Sequence, residues 1–374
     1  MKRFIWLFAA LMMITGGLFA SAVSAGEQDK EDYLVMFSGN AEKGLLNAFG
    51  VEDEDVLYEF ELLPVYQLSL TEGQAKGLSN HPHVEYVEED AEVQAMQTVP
   101  YGISQVQAPD VHRFGYFGQG VRVAILDTGI DANHQDLNVY GGHSVFSSWP
   151  DSNPYIDNDG HGTHVAGTVA ALNNSVGVLG VAPQARLYAV KVLDQNGSGS
   201  NAGIAQGIEW SVLNNMDIVN MSLGGPTDSA ILRAYSDYAY NQGLLLIAAA
   251  GNSGNASGTG DSVGYPAKYD SVMAVGAVDA NNNRASFSST GPAVEIAAPG
   301  VSIQSTYPNN GYRSLNGTSM AAPHVAGVAA LLMHYRPNYS AQQVRSVLNN
   351  SAQPLGNSNH FGNGLVGAYR AFVY

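Results

Sequence analysis

The sequence predicts an α/β protein: a mainly parallel central sheet with helices on both faces, preceded by a small α+β domain. Three observations point there. Five short runs rich in Val, Ile, Leu and Ala, at 121–126, 187–192, 218–223, 244–249 and 272–278, lack strict alternation and suit strands buried on both faces. Stretches with helical spacing at 165–172, 204–213 and 230–241 separate the first four, and alternating β and α segments build parallel sheets. The charge is also uneven: residues 1–96 hold 5 basic and 17 acidic side chains, a net −12, whereas residues 97–374 hold 11 and 16, a net −5. A short acidic segment is therefore set apart from a large second one.

In chain order, Lys2 and Arg3 precede an apolar run over 4–14, continued by Gly16, Gly17, Leu18 and Phe19 and closed by Val23, Ser24 and Ala25. A charged start, an apolar middle and a small-residue exit predict a secretory signal over 1–25 and hence export. A membrane anchor competes with this reading, because the run approaches the ~20 residues that span a bilayer. Within 26–96, strands are expected at 33–37, 65–70 and 84–88 and a helix at 72–78. About 70 residues so rich in acid would be marginal alone, so this segment is either an attached domain or a propeptide. From 97 to 374 the α/β pattern runs to the end. In such folds active sites lie beyond the carboxyl ends of the strands. Asp127 follows the first run directly, and Asn252 follows the fourth after Ala250 and Gly251; the Gly-, Asn- and Ser-rich stretch 251–260 reads as an irregular loop.

Composition excludes several classes. The chain has 374 residues, 45% hydrophobic and 13% charged, enough apolar material for a sizeable core. With 16 basic and 33 acidic side chains its net charge is −17, the opposite of a nucleic-acid footprint, and no nucleic-acid partner is expected. The absence of cysteine rules out disulfides, thiolate catalysis and Cys-ligated zinc. Residues 97–374 carry only Lys191 and Lys268 against nine arginines, which suggests an alkaline working range, since Arg keeps its charge above the pH at which Lys titrates.

Three polar clusters interrupt apolar or Gly-rich surroundings: Asp127-Thr128-Gly129, then Asp159-Gly160-His161-Gly162-Thr163-His164, and finally Asn316-Gly317-Thr318-Ser319-Met320-Ala321 with Pro323-His324-Val325-Ala326-Gly327. Singly each is ambiguous. An Asp after a strand is usually a turn or cap residue, and a Ser at a helix start is usually an N-cap. His161 and His164, three apart, could also be metal ligands on one helical face. Together the clusters supply an acid, an imidazole and a hydroxyl at the catalytic edge of one sheet, the set that nucleophilic acyl transfer needs.

In the order Asp…His…Ser, these clusters resemble the signatures of the subtilisin family of serine endopeptidases, and the resemblance runs through essentially all of 97–374. It extends into the first segment at Tyr86-Val87-Glu88-Glu89-Asp90. It implies that Ser319 is the nucleophile, His161 its base and Asp127 the residue that orients the ring, with Asn252 as a second oxyanion donor. Protein and peptide substrates would lie between Gly197-Ser198-Gly199 and Ser222-Leu223-Gly224, and Gly264 would floor a roomy pocket for a large apolar or aromatic side chain at P1. The resemblance also implies Ca²⁺, held by the side chains of Asp136, Asn174 and Gln97 and the carbonyls of Leu172, Val176 and Val178. Segment 26–96 becomes a propeptide that inhibits the enzyme and aids its folding, removed by self-cleavage after Met96 or after Ala95. The mature enzyme is expected outside the cell as a monomer, with no membrane role once the signal is gone.

Overall fold

Burial alternates along the two central strands of the acidic segment, and this alternation builds its core. The computed structural model describes residues 29–39, 43–91 and 97–374, so the expected signal and the residues at the expected junction up to Met96 lie outside the described residues. Two units divide at Val93 and Gln94. The first contains β1 (Glu31–Phe37), α1 (Lys43–Ala48), β2 (Val56–Glu59), β3 (Val65–Leu70), α2 (Glu72–Ser79) and β4 (Val84–Glu89). Its antiparallel sheet has the order β2-β3-β1-β4. Tyr33, Val35 and Phe37 of β1 and Tyr66, Leu68 and Leu70 of β3 point inward, where Ala75 and Leu78 of α2 cover them. Thr71 starts α2 as a capping box with Gln74, satisfying two backbone groups that a helix start leaves open.

The second unit opens with two short helices, α3 (Tyr101–Gln105) and α4 (Ala108–His112), and then builds a parallel sheet. Its first half contains β5 (Arg122–Asp127), β6 (Val139–Ser144), α5 (His161–Ala170), β7 (Arg186–Lys191), α6 (Asn201–Leu213) and β8 (Ile218–Met221). Then follow α7 (Ala230–Asn241), β9 (Leu245–Ala249), β10 (Val272–Val278) and β11 (Val294–Pro299). A hairpin of β12 (Ile303–Tyr307) and β13 (Gly311–Leu315) leads into the long α8 (Thr318–Tyr335), and α9 (Ala341–Asn350), α10 (Ser358–Phe361) and α11 (Ala368–Val373) close the chain. The seven strands run parallel in the order β11-β10-β9-β8-β5-β7-β6. The chain reverses its direction of travel across the sheet between β5 and β8, so the crevice at their carboxyl ends is where a parallel sheet offers a binding site.

Alternate residues of one strand enter different cores. From β5, Val123 and Ile125 join a core with Val165 and Val169 of α5 and Val325 and Val328 of α8. Ala124 and Leu126 join another, with Ile204 and Ile208 of α6 and Leu232 and Ala239 of α7. Helices thus cover both faces, as the non-alternating apolar runs require.

Two strands of the parallel sheet escape the sequence pattern, and both are its edges; the pattern also lacks β2 and the β12–β13 hairpin. In β6 the sequence Val-Tyr-Gly-Gly-His-Ser has too few apolar residues to register, and β11 ends on Pro299, a residue tolerated only where a ladder can stop. Helix α5 begins at His161, four residues before the apolar spacing starts, because its first turn, His-Gly-Thr-His, is polar and carries no apolar period; Leu172 falls beyond its end.

The two-sided burial makes a contrast measurable by thermal unfolding in a Ser319→Ala background. Ile125→Ala, at the fully buried centre of β5, should lower stability by about 2–5 kcal/mol. Leu213→Ala, at a side chain 74% exposed on α6, should change it by less than about 0.5 kcal/mol. Equal effects would contradict the layering.

Candidate active site

Asp127 is the last residue of β5 and has no exposed surface. Its Oδ1 accepts the Thr128 N–H at 2.8 Å and meets His161 Nδ1 at 2.7 Å. That meeting requires the start of α5 to abut the end of β5. A Cβ on Gly162 would collide with the Gly129 carbonyl and press on Asp127, so only glycine allows this approach.

The same joint is fastened by a residue the sequence reading passed over. Asp157, 5% exposed, accepts from Thr128 Oγ1 (2.8 Å), the Gly160 N–H (2.8 Å), the Thr163 N–H (2.8 Å) and Thr163 Oγ1 (2.6 Å). It therefore ties the residue after Asp127 to residues on both sides of His161. Burial pushes its carboxyl up, and the four hydrogen bonds pull it back. Lys191 opposes Asp127 in the parallel register and is also buried; its ammonium reaches the Thr128 carbonyl and Asp151 Oδ1, the latter at 3.2 Å. The signal in the sequence was an Asp and a Lys at positions with no exposed role, visible only once burial is known.

Burial alone would hold the His161 ring below its ordinary range. The Asp127 carboxylate, with Asp159 and Asp157 beyond it, overrides that and raises the ring to about 9. His164 behaves otherwise: its Nε2 faces the carbonyls of Ile303 (2.9 Å) and Arg313 (3.0 Å), and burial pushes it down to about 4. The two rings are thus bound to different partners, which argues against a shared metal.

Ser319 is the second residue of α8, where helix amides have no intrahelical partner. Its hydroxyl donates to the Ser222 carbonyl at 3.1 Å, while Ser222 Oγ donates to the Ser319 carbonyl at 2.7 Å. The latter bond answers a defect, since Pro323 has no N–H to reach the carbonyl four residues back. The Asp–His half of the expected relay is therefore made. The serine half is open, with its hydroxyl parked on Ser222.

Asn252 Oδ1 accepts the N–H and hydroxyl of Thr318 at 2.9 and 3.0 Å. These bonds fix the flip of the amide and turn Nδ2 away from Thr318. A Cβ on Gly317 (φ 152°) would lie 3.5 Å from Asn252 Nδ2 and 3.6 Å from Ser319 N, so glycine leaves open the space between two donors.

His161, Ser319 and Asn252 line one cleft of about 930 Å³, which Gly197, Gly199, Ser222, Leu223, Gly224 and Gly264 also line. Asp127 stands behind it. Gly264 donates to the Ala250 carbonyl at 3.0 Å, and Gly225 and Tyr265 exchange backbone bonds beside it.

The expected calcium ligands gather elsewhere. Gln97 Nε2 sits among the oxygens of Leu172, Asn174 (Oδ1, 3.4 Å) and Val178 (3.0 Å). Buried Asp136 accepts from Asn174 Nδ2 at 3.0 Å and from the Val178 N–H at 2.9 Å, and Val176 donates its N–H to Asn174 Oδ1. Rotating the Gln97 amide would place a fourth oxygen among three, a donor set of hard oxygens that fits Ca²⁺. Among the described residues no three His, Asp or Glu side chains cluster; this set has one carboxylate and relies on amides and carbonyls.

Comparison with known proteins agrees with this geometry. Residues 118–364 match the subtilase family and residues 24–96 match the peptidase inhibitor I9 family. A thermostable alkaline protease of Halalkalibacterium halodurans is 53% identical over 95% of each chain. An M-protease of Shouchella clausii is 49% identical over 96% of each, and subtilisin E of Bacillus subtilis is 49% identical over 99% of this chain and 98% of its own. The chain belongs to the subtilase family of serine endopeptidases and carries a peptidase-inhibitor domain ahead of its catalytic domain.

Proposed function

We propose that this endopeptidase is secreted, stabilised by calcium and broad in specificity, preferring large apolar or aromatic side chains at P1. The observation that carries the reading is the 2.7 Å contact of Asp127 with His161 at one side of a cleft that Ser319 and Asn252 also line. The domain boundaries proposed are a signal over 1–25, a propeptide over 26–96 that inhibits and assists folding, and a monomeric mature enzyme from Gln97, with cleavage after Met96 or Ala95.

A substrate held extended between 197–199 and 222–224 pairs its backbone as an added strand. Ser319 Oγ exchanges the Ser222 carbonyl for His161 Nε2, which takes its proton as the oxygen attacks the scissile carbonyl. Hydrogen bonds in a free site tighten only once substrate is bound, so the parked hydroxyl is compatible with this role. Asp127 holds Nδ1–H and steadies the imidazolium. The Ser319 N–H and Asn252 Nδ2 donate to the oxyanion. His161 then passes the proton to the leaving amine, and water, deprotonated by the same ring, releases the acyl group from Ser319. Small residues at 222–224, 249–251 and 264 leave room for a bulky P1 side chain, and Ser253 offers no carboxylate to a P1 lysine. Calcium bound by Asp136, Asn174, Gln97 and the carbonyls of Leu172, Val176 and Val178 would cross-link the start of the mature chain to the 172–178 loop.

Full-length Ser319→Ala should neither cleave peptides nor remove its own first domain, read by mass spectrometry; a variant that still matures unaided would refute the nucleophile assignment. The base must be neutral to act, so with His161 raised to about 9, kcat/KM should climb through the alkaline range to that pH. Asp159→Asn removes one of the charges that raises the ring and should move the midpoint to lower pH. A midpoint that stays put would remove Asp159 from the account. Chelation should lower the unfolding temperature of the Ser319→Ala protein, and Asp136→Asn should abolish that difference; an unfolding temperature indifferent to chelator counts against the calcium site.

A further inference from the structure

Asp261 and Lys268 bracket Gly264, three residues before it and four after. Lys268 donates its N–H to the Gly264 carbonyl at 2.9 Å, and its Nζ meets Asp261 Oδ2 at 2.7 Å. Both side chains line the cleft and are partly exposed, 31% for Lys268 and 37% for Asp261. The backbone between them is pinned by Gly264 to Ala250 and by Tyr265 to Gly225. Asp261 Oδ1 also takes the Val263 N–H at 3.4 Å. The pair therefore stands at the floor of the P1 pocket in a held geometry, rather than as two loose surface charges.

We propose that this ion pair keeps the P1 pocket electrically neutral, and that Asp261 and Lys268 are specificity-determining residues which disfavour charged P1 side chains of either sign. The inference rests on the reading of Gly264 as the pocket floor. A P1 lysine approaching Asp261 meets the Lys268 ammonium already held there, and a P1 glutamate approaching Lys268 meets the Asp261 carboxylate, so either charge faces a like charge as well as an opposite one. The opposite charge each would seek is already neutralised by its partner, so neither gains a net attraction. An uncharged aromatic group breaks nothing. Removing one partner leaves the other free to attract its opposite. Asp159, the other carboxylate lining the cleft, stays beside His161 and is unchanged in each variant, so it cannot mimic the effect.

The test uses peptide p-nitroanilides that differ only at P1, with Phe, Glu, Lys or Ala, and compares kcat/KM ratios. Asp261→Asn should raise the Glu/Lys ratio about 3- to 5-fold, and Lys268→Gln should lower it by a similar factor. Both shifts should shrink at high salt. The charge-swapped double variant, D261K with K268D, should return to the wild-type ratio. Ratios unmoved in both single variants, or moved in one direction by both, overturn the proposal. If one single variant fails to mature, the other decides: a ratio moved in its expected direction and restored in the swapped protein supports neutralisation by the pair, and an unmoved ratio overturns it. Failure of the underlying pocket reading looks different, because the wild-type enzyme would then show no preference for P1 Phe over Ala.

Discussion

A carboxylate with no access to water must find its donors inside the protein, and Asp127 finds them for its Oδ1 in the Thr128 amide and the His161 ring, while its buried Oδ2 has no protein donor among the described residues. Much of the catalytic edge follows from that requirement. The ring can reach only if α5 starts against the end of β5, which needs glycine at 162. The contact holds its angle only if the two segments cannot slide, and the four bonds to Asp157 prevent that. Lys191 closes the back of the joint by holding the Thr128 carbonyl. Two buried charged residues outside the expected relay thus decide where Asp127 and His161 can stand.

The serine side is built on a different economy. Proline inside α8 removes the amide that would have bonded the Ser319 carbonyl, and the Ser222 hydroxyl fills that gap. The repair joins the end of β8 to the first turn of α8, so Ser319 is positioned relative to the segment that follows Ser222. Asn252 is set by the neighbouring residue in the same way, since Thr318 claims its oxygen and leaves its nitrogen facing the space beside Gly317. Neither side chain could be swung into place by its own rotamer preference alone.

The parallel sheet makes these separate joints meet. Its strands run in one direction, so residues following β5, β8 and β9 emerge at one edge. Residues 161, 222, 252 and 319 can then share a cleft in front of Asp127 without any of them being near in sequence. The opposing cores on the two faces fix the sheet's position, and the walls of the cleft can be left to glycine and serine, whose small side chains admit a substrate backbone.

The amino-acid sequence alone determined the elements that have strong local signatures. The apolar runs buried on both faces, the helix over 72–78, the acidic first domain and the polar clusters around 127, 161 and 319 are all written in short stretches, because burial on both faces and helix spacing impose patterns over a few residues. The edge strands β6 and β11 escaped, since an edge needs fewer apolar side chains. Asp157 and Lys191 escaped for a stronger reason: an Asp or Lys looks like surface until the chain closes over it. What only the tertiary structure decided was which polar groups become neighbours, such as the pairing of Ser222 with Ser319, the flip of Asn252 and the ion pair beside Gly264. Those are contacts between segments 97 and 66 residues apart, or across a folded turn of seven, and no local preference specifies them; they exist because packing removes water and leaves each polar atom only the partners that the fold brings within reach.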